Sequence, residues 1–190
     1  MKKILMVLLV FALAGTSVFA LDLLQYPPPL KGGNVMLDVG IGYAFTGFLS
    51  SGSKMSIPPL FISAEFALPT KAPISVGGLF AIYQYKYNAN LFGVKWSEKY
   101  TSMYFGARGN WHWNFSPKWL DFYTGINIGY DYFKITLDPK PNYSWYSEPR
   151  YGGFTVGAQV GAHFYFTDFL GVVVEAGYPY LIKAGLALKF

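Results

Sequence analysis

Apolar and polar side chains alternate with a period of two residues along most of the chain between residues 33 and 190. Such a period places successive side chains on opposite faces of a β-strand. The last stretch shows it without a break: Ile182, Ala184, Leu186, Leu188 and Phe190 share one face, and Lys183, Gly185, Ala187 and Lys189 share the other. Similar stretches begin near residues 35, 60, 74, 103, 120, 154 and 170. The pattern therefore predicts about eight strands.

The connections between these predicted strands alternate between short and long. Those at Pro69, Ser116 and Thr167 are tight, whereas those after Phe45, Tyr85 and Phe133 are longer. This alternation is typical of up-and-down transmembrane barrels, whose short turns lie at one end and whose longer loops lie at the other. In the third strand the apolar pattern changes face at residues 83–87. We therefore expect a bulge there, followed by a loop over residues 86–99.

Composition indicates which face meets lipid. Only 13% of the residues are charged and 53% are hydrophobic, compared with about 25% charged residues in an average soluble domain. The polar faces consist mainly of Gly, Ala, Ser and Tyr, which suit a narrow interior better than a solvated surface. A soluble lipocalin-like barrel would show the same alternation with the faces reversed. We predict an all-β fold, an eight-stranded antiparallel transmembrane up-and-down β-barrel with its apolar faces toward lipid.

Aromatic side chains gather near both ends of the predicted strands, as they do in the interfacial girdles of membrane barrels. The band beside the short turns comprises Trp111, Trp113, Phe115, Trp119, Phe164 and Phe166. The band beside the long loops comprises Tyr43, Phe45, Tyr130, Tyr132, Tyr151 and Tyr178. Two separate bands favour a barrel that crosses a membrane.

The amino-terminal segment has the parts of a secretory signal peptide. Lys2 and Lys3 precede an apolar run over residues 4–14, and Ala20 precedes the expected cleavage site. We assign residues 1–20 to the signal peptide, residues 21–32 to a proline-rich periplasmic lead-in, and residues 33–190 to the barrel. The chain contains no cysteine, so we expect an exported domain that folds without disulfide bonds.

Charged and amide side chains are few on the predicted inward faces, and their charges are complementary. We expect one polar network in the lumen, formed by Asp38, Glu65, Arg108, Asn127, Gln159, Glu175 and Lys183. A lone buried charge costs several kcal/mol, so each of these groups needs a partner. An interior of eight strands is only wide enough for side chains. The network is thus expected to fill and stiffen the lumen, with a gate or proton path as the alternative.

Candidate chemistry beyond this network is sparse. His112 and His163 are both predicted to face inward near the short-turn end, but a metal site needs more ligands than these two. The glycines occur singly and form no phosphate-binding loop. The net charge of +5 comes from scattered lysines, which argues against nucleic acid as a partner. We predict no cofactor, no metal and no enzymatic activity.

Several stretches resemble the small outer-membrane barrels of the OmpX, OmpA-transmembrane and OmpW type. They are residues 106–109 leading to Trp111, residues 120–129 after a tight turn, residues 174–178, and residues 183–190. The resemblance implies a location in the outer membrane of a diderm bacterium, with outer-membrane lipid as surroundings. It also implies that Ile182, Leu186, Leu188 and Phe190 form the insertion signal that the barrel-assembly machinery reads.

Three functions are compatible with this class of barrel. The first is a structural or surface-interaction role through extracellular loops, whose candidate contacts with an unknown external partner are Lys95, Trp96, Tyr143, Trp145 and Tyr146. The second is a conduit for small hydrophobic solutes, as the OmpW resemblance implies, with Phe61, Leu79 and Val173 facing inward. The third and least favoured is a lipid-modifying enzyme that uses His163 and Glu175. A soluble periplasmic binder would apply only if the faces were reversed.

Overall fold

A computed structural model describes residues 30–43, 53–91, 94–113, 119–138 and 147–190. Within these ranges the protein forms eight β-strands. The strands are β1 Val35–Tyr43, β2 Ser53–Ala67, β3 Ile74–Leu91, β4 Val94–Trp113, β5 Leu120–Asp138, β6 Arg150–Tyr165, β7 Leu170–Gly177 and β8 Ile182–Lys189. Residues 1–29 lie outside the described part, so the signal peptide and most of the lead-in remain predictions.

Each strand pairs in antiparallel fashion with its neighbours in sequence, and β8 pairs with β1 to close the barrel. The pairing of β1 with β8 extends from Met36 opposite Lys189 to Tyr43 opposite Ile182. The predicted eight-stranded up-and-down barrel is confirmed. The short connections β2–β3, β4–β5 and β6–β7 define one end, called here the turn end, and the opposite end is called the loop end.

The strands differ in length, and this overturns one prediction. β3 and β4 pair continuously from Ile74 opposite Trp111 to Leu91 opposite Val94, so the loop predicted over residues 86–99 is wrong. The polar residues there resembled a loop because a strand beyond a membrane has polar side chains on both faces. β2 to β6 thus continue past the loop-end limits of β7, β8 and β1. This extra part of β2–β6 is called the extension.

The expected bulge lies on a different strand from the one predicted. β3 keeps an unbroken register with β4, whereas the β2–β3 register shifts between Met55 and Ile57 and again between Ile57 and Leu60. The second shift spans Pro58 and Pro59. Proline lacks the N–H that a sheet ladder requires and is therefore found at edges and bulges.

The apolar face of each strand points away from the barrel axis and the polar face points into it. Outward side chains such as Val39, Ile62 and Ile126 are exposed, the last by 58%, whereas inward side chains such as Asp38, Asn127 and Glu175 are buried. The outward apolar stretches, for example residues 103–113 of β4, match the roughly 9–11 residues that a tilted strand needs to cross a bilayer.

Within the described residues there is no helix long and apolar enough to cross a membrane.

One girdle assignment is wrong. Tyr178 does not join the outer aromatic band, because the β7–β8 turn folds its ring over the lumen, where it packs at 5.5 Å from the Tyr104 ring.

Candidate functional site

An ionic cluster occupies the middle of the lumen, centred on Arg108 of β4. Its Nε lies 3.1 Å from Glu65 Oε1 and its Nη2 lies 2.6 Å from Glu175 Oε2. Lys183 Nζ lies 2.7 Å from the other oxygen of Glu175. These side chains are almost fully buried, so each ion depends on its partners rather than on water. The sequence-predicted residues Glu65, Arg108, Glu175 and Lys183 are thus brought together.

A second cluster fills the turn end of the lumen, where two histidines share one carboxylate. Asp121 accepts from His112 Nδ1 at 2.8 Å and from His163 Nδ1 at 3.1 Å. Asp38 lies 3.3 Å from His163 Nε2 and accepts a hydrogen bond from Ser63. The sequence placed Asp38 in one network with the charged residues around Arg108, but its close partners are His163 and Ser63. Among the described residues, no group of three or more potential ligands is arranged to hold a metal ion.

Ser75 links the two clusters in an arrangement that superficially resembles a hydrolase triad. Its Oγ lies 2.9 Å from His112 Nε2 and 2.5 Å from Glu65 Oε2. The Glu65 carboxylate is paired with Arg108 and can only accept, so the single hydroxyl proton of Ser75 goes to Glu65. A catalytic triad needs the opposite direction, with the imidazole accepting the serine proton.

Neutral side chains continue the network toward the loop end. Asn110 donates to Glu65 at 2.7 Å, Gln159 donates to Asn110 at 2.7 Å, and Asn127 donates to Gln159 at 2.8 Å. Tyr104 then donates to Asn127 at 2.8 Å. Asn127 and Gln159, which the sequence placed in the network, therefore join the ionic cluster through Asn110. The hydrogen-bonded chain is continuous from Asp38 to Tyr104.

Two glycines make room for the Tyr104 ring. Gly106 and Gly129 are opposite each other on β4 and β5, and a Cβ on either would overlap that ring. We expect Gly106→Ala to lower the free energy of unfolding by about 1–3 kcal/mol, the usual cost of overpacking a filled interior. Gly109→Ala is the matched control, because Gly109 lies on the outward face of the same strand with no crowding atom nearby. Urea unfolding in lipid vesicles would compare them, and equal stability of the two variants would contradict this packing.

The β7–β8 turn caps the lumen at the loop end. Tyr178 Oη donates to Asp131, which also accepts from Thr155 at 2.6 Å. Tyr180 is buried on the opposite side, and its Oη lies 2.7 Å from the Leu60 carbonyl oxygen and 3.0 Å from that of Ile82. The two tyrosine rings thus cover the lumen from one short turn.

Sequence reasoning missed several members of the network, among them Asp121, Ser75 and Asn110. Asp121 is the first inward residue after the β4–β5 turn, and extending the two-residue period of β5 by one position would have found it. Ser75 and Asn110 also occupy inward positions of their strands. Small neutral residues are common on inward faces, so their type alone does not indicate membership in a polar network. Only the register of β3 and β4 places them beside Glu65 and His112.

The remaining predicted site residues lie on the outer surface or outside the described residues. Ile182, Leu186 and Phe190 are exposed along β8 and its end. Leu188 shares their outward face, opposite Leu37 and Leu170. Lys95 and Trp96 belong to β4 rather than to a loop. Tyr143, Trp145 and Tyr146 lie outside the described residues.

A closed barrel with an apolar exterior and a packed polar interior is a membrane-spanning β-barrel, since closure pairs every strand edge and the exposed apolar side chains require lipid. This protein is therefore a transmembrane barrel of the kind found in bacterial outer membranes. The sequence alone suggested the same class.

Comparison with solved structures gives the same fold. OprG of Pseudomonas aeruginosa has a TM-score of 0.55 at 10% identity, over 84% of this chain and 97% of that one. The similarity to Ail of Yersinia pestis, solved with the heparin analogue sucrose octasulfate, is weaker, with a TM-score of 0.48 at 8% identity over 85% of this chain and 100% of that one. The N-terminal barrel of Pseudomonas aeruginosa OprF has a TM-score of 0.41 at 13% identity over 84% of this chain and 97% of that one. No protein-family model and no curated protein sequence matches the chain.

Proposed function

We propose that the protein is an integral outer-membrane barrel that acts structurally and by surface interaction, with the β2–β6 extension as the interacting part. One observation carries the proposal: a continuous buried network fills the lumen, while β2–β6 extend beyond the membrane-spanning part. In outer-membrane barrels the short turns face the periplasm, so the extension would lie outside the cell. Export would require removal of residues 1–20, and Phe190 would serve in insertion.

The inner face of the extension is rich in aromatic side chains. Tyr100 packs at 6.0 Å from Phe133, and both side chains are partly exposed. The Tyr100 hydroxyl donates to Glu98. Aromatic side chains with a polar end are common in protein interfaces, because they combine a large contact area with a hydrogen-bonding group. This face supports a role in binding an external partner.

The hairpin of β3 and β4 offers a direct test of the surface role. We expect that replacing residues 88–97 by a two-residue turn will abolish the binding of surface-displayed protein to a panel of immobilised matrix proteins and glycans. The control is Phe166→Ala with Phe169→Ala, which alters exposed aromatics at the turn end. Binding that persists in the trimmed variant at equal surface abundance would refute the role of this hairpin.

The alternative function, a conduit for small hydrophobic solutes, has less support. Phe61, Leu79 and Val173 do face inward, but they pack with Tyr104, Tyr123 and Tyr180 in one buried cluster. We expect vesicles containing the folded protein to take up small hydrophobic solutes no faster than empty vesicles, and planar bilayers to show no steady conductance. Uptake above the empty control would favour the conduit over the structural role.

A hydrolytic function has little support in this lumen. Ser75, His112 and Asp121 are fully buried, and the hydroxyl proton of Ser75 is directed to Glu65 rather than to His112. We therefore propose that the serine and histidine stabilise the barrel and perform no catalysis.

A further inference from the structure

Among the side chains that the structure describes, five basic ones lie on the outward face of the extension, close to the edge of the apolar surface. They are Lys54, Lys86, Lys99, Lys134 and Arg150. The strand registers place them in two adjacent rows that run across the sheet. Lys54 is opposite Lys86, and Lys86 is opposite Lys99. In the row nearer the barrel, Lys134 lies between Thr101 and Arg150. We name these five residues the basic belt.

Nothing in the described fold neutralises most of the belt. Lys134 pairs with Glu148 at 2.6 Å, but Lys54, Lys86, Lys99 and Arg150 form no ion pair within the described residues. Of the other nearby acids, Glu98 is on the inward face and binds Tyr100, and Asp131 binds Tyr178 and Thr155. Asp138 lies one row farther from the barrel, opposite Ser97.

Like charges that are directly opposite on neighbouring strands destabilise a sheet. Three lysines in one row are therefore unfavourable for folding alone, and the arrangement indicates an external anion as counter-charge.

The position of the belt indicates what this anion is. The next outward row toward the turn end consists of Ile82, Met103, Tyr132 and Gly152. The row after that consists of Phe80, Phe105, Tyr130 and Phe154. Successive outward side chains on one strand are about 7 Å apart. The belt thus begins one row beyond the lipid-facing surface, at the depth where phosphates of lipid headgroups lie. Lysine and arginine can lay their aliphatic parts on apolar surface while the charge reaches this layer.

We propose that the basic belt binds the phosphate groups of anionic lipids in the leaflet at the loop end. A soluble polyanion would also suit the charge, but the belt is continuous with the lipid-facing surface, which favours lipid. The proposal requires the membrane insertion of the proposed function, yet it concerns a different surface from the aromatic inner face and does not depend on an external partner.

The test compares two charge-matched double variants of the full-length folded protein. Lys54→Gln with Lys99→Gln removes two exposed lysines from the belt, whereas Lys31→Gln with Lys71→Gln removes two exposed lysines at the turn end. The probe is bisphosphorylated lipid A, titrated into mixed detergent micelles and followed by native mass spectrometry, with phosphatidylcholine as the uncharged comparison. Each basic side chain near an anionic lipid surface contributes about a fivefold factor, so we expect about 25-fold weaker lipid A binding for the belt variant.

The control variant is expected to bind as the wild type does, and Lys54→Arg with Lys99→Arg is expected to retain binding. Equal binding by both Gln variants would overturn the proposal. Binding of soluble sucrose octasulfate would be measured with the same variants. If the Gln substitutions in the belt weaken that binding more than they weaken lipid A binding, the proposal is overturned in favour of a polyanion site. The gel mobility of each variant would also be compared before and after boiling. An unfolded or water-soluble protein would show no shift on boiling, so this measurement distinguishes a failure of the lipid-binding proposal from a failure of the membrane barrel itself.

Discussion

Arg108→Met is expected to lower the free energy of unfolding by about 3–5 kcal/mol, the cost of leaving buried ions without their partner. Arg108 contacts both Glu65 and Glu175. After its removal Glu175 still has Lys183, whereas Glu65 keeps only neutral donors, Ser75 and Asn110. The measurement is urea unfolding in lipid vesicles, followed by tryptophan fluorescence and by gel mobility without boiling.

Two controls make this prediction specific. Lys71→Met removes a basic side chain from the exposed turn end, outside the basic belt, and should change stability by no more than about 0.5 kcal/mol. Adding Glu65→Gln to Arg108→Met removes the orphaned carboxylate and should restore part of the lost stability, because the cost comes from the unpaired ion more than from the missing contact. If Arg108→Met unfolds at the same urea concentration as the wild type, Arg108 does not stabilise the lumen.

Ile126→Arg is expected to destabilise the folded protein by about 2–4 kcal/mol, as arginine does on the lipid face near the middle of a bilayer. Ile126 is outward on β5 between Gly109 and Ala158 and is already exposed. In a soluble barrel an exposed isoleucine could be replaced by arginine at little cost, so the substitution distinguishes the two environments.

The matched control for Ile126→Arg lies on the same strand and the same face. Thr136→Arg is farther toward the loop end and beyond the apolar surface, opposite Lys99. It should cost less than Ile126→Arg, because only the like-charge contact with Lys99 opposes an arginine there. Both variants would be unfolded in vesicles of the same lipid. An equal, small effect at the two positions would mean that residue 126 does not face lipid.

The fold was predictable because its main signal is repeated on every strand. Each membrane-spanning strand places residues such as Val39, Ile62 and Ile126 outward and residues such as Asp38, Ser63 and Asn127 inward. A slip of one residue would exchange the two faces. The period therefore fixes both the strand class and the orientation of each side chain wherever one face meets lipid. It also brought four charged residues, Glu65, Arg108, Glu175 and Lys183, to the same lumen.

The extension and the turn-end cluster were less predictable for physical reasons. Beyond the bilayer no face of a strand has to be apolar. The sequence around Lys86, Asn88 and Lys99 therefore lacks the alternation of apolar and polar side chains by which a strand is recognised. The contact between His112 and Ser75 depends on the pairing of β3 with β4, which the sequence of neither strand specifies. Tyr178 alternates correctly with Ala176, but it follows the end of β7, where the period no longer applies.

The hydrogen bonds of Tyr180 connect the order of barrel assembly to the sealing of the lumen. Tyr180 lies in the turn that leads into β8, yet the acceptors of its hydroxyl are the carbonyl groups of Leu60 and Ile82, which belong to β2 and β3. Those two carbonyls come together only after β2 and β3 have paired. The Tyr180 side of the cover can therefore form only when β2 and β3 have already paired, whereas Tyr178 needs only β4 and β5. A barrel that lacked the β2–β3 hairpin would be covered on one side and open on the other.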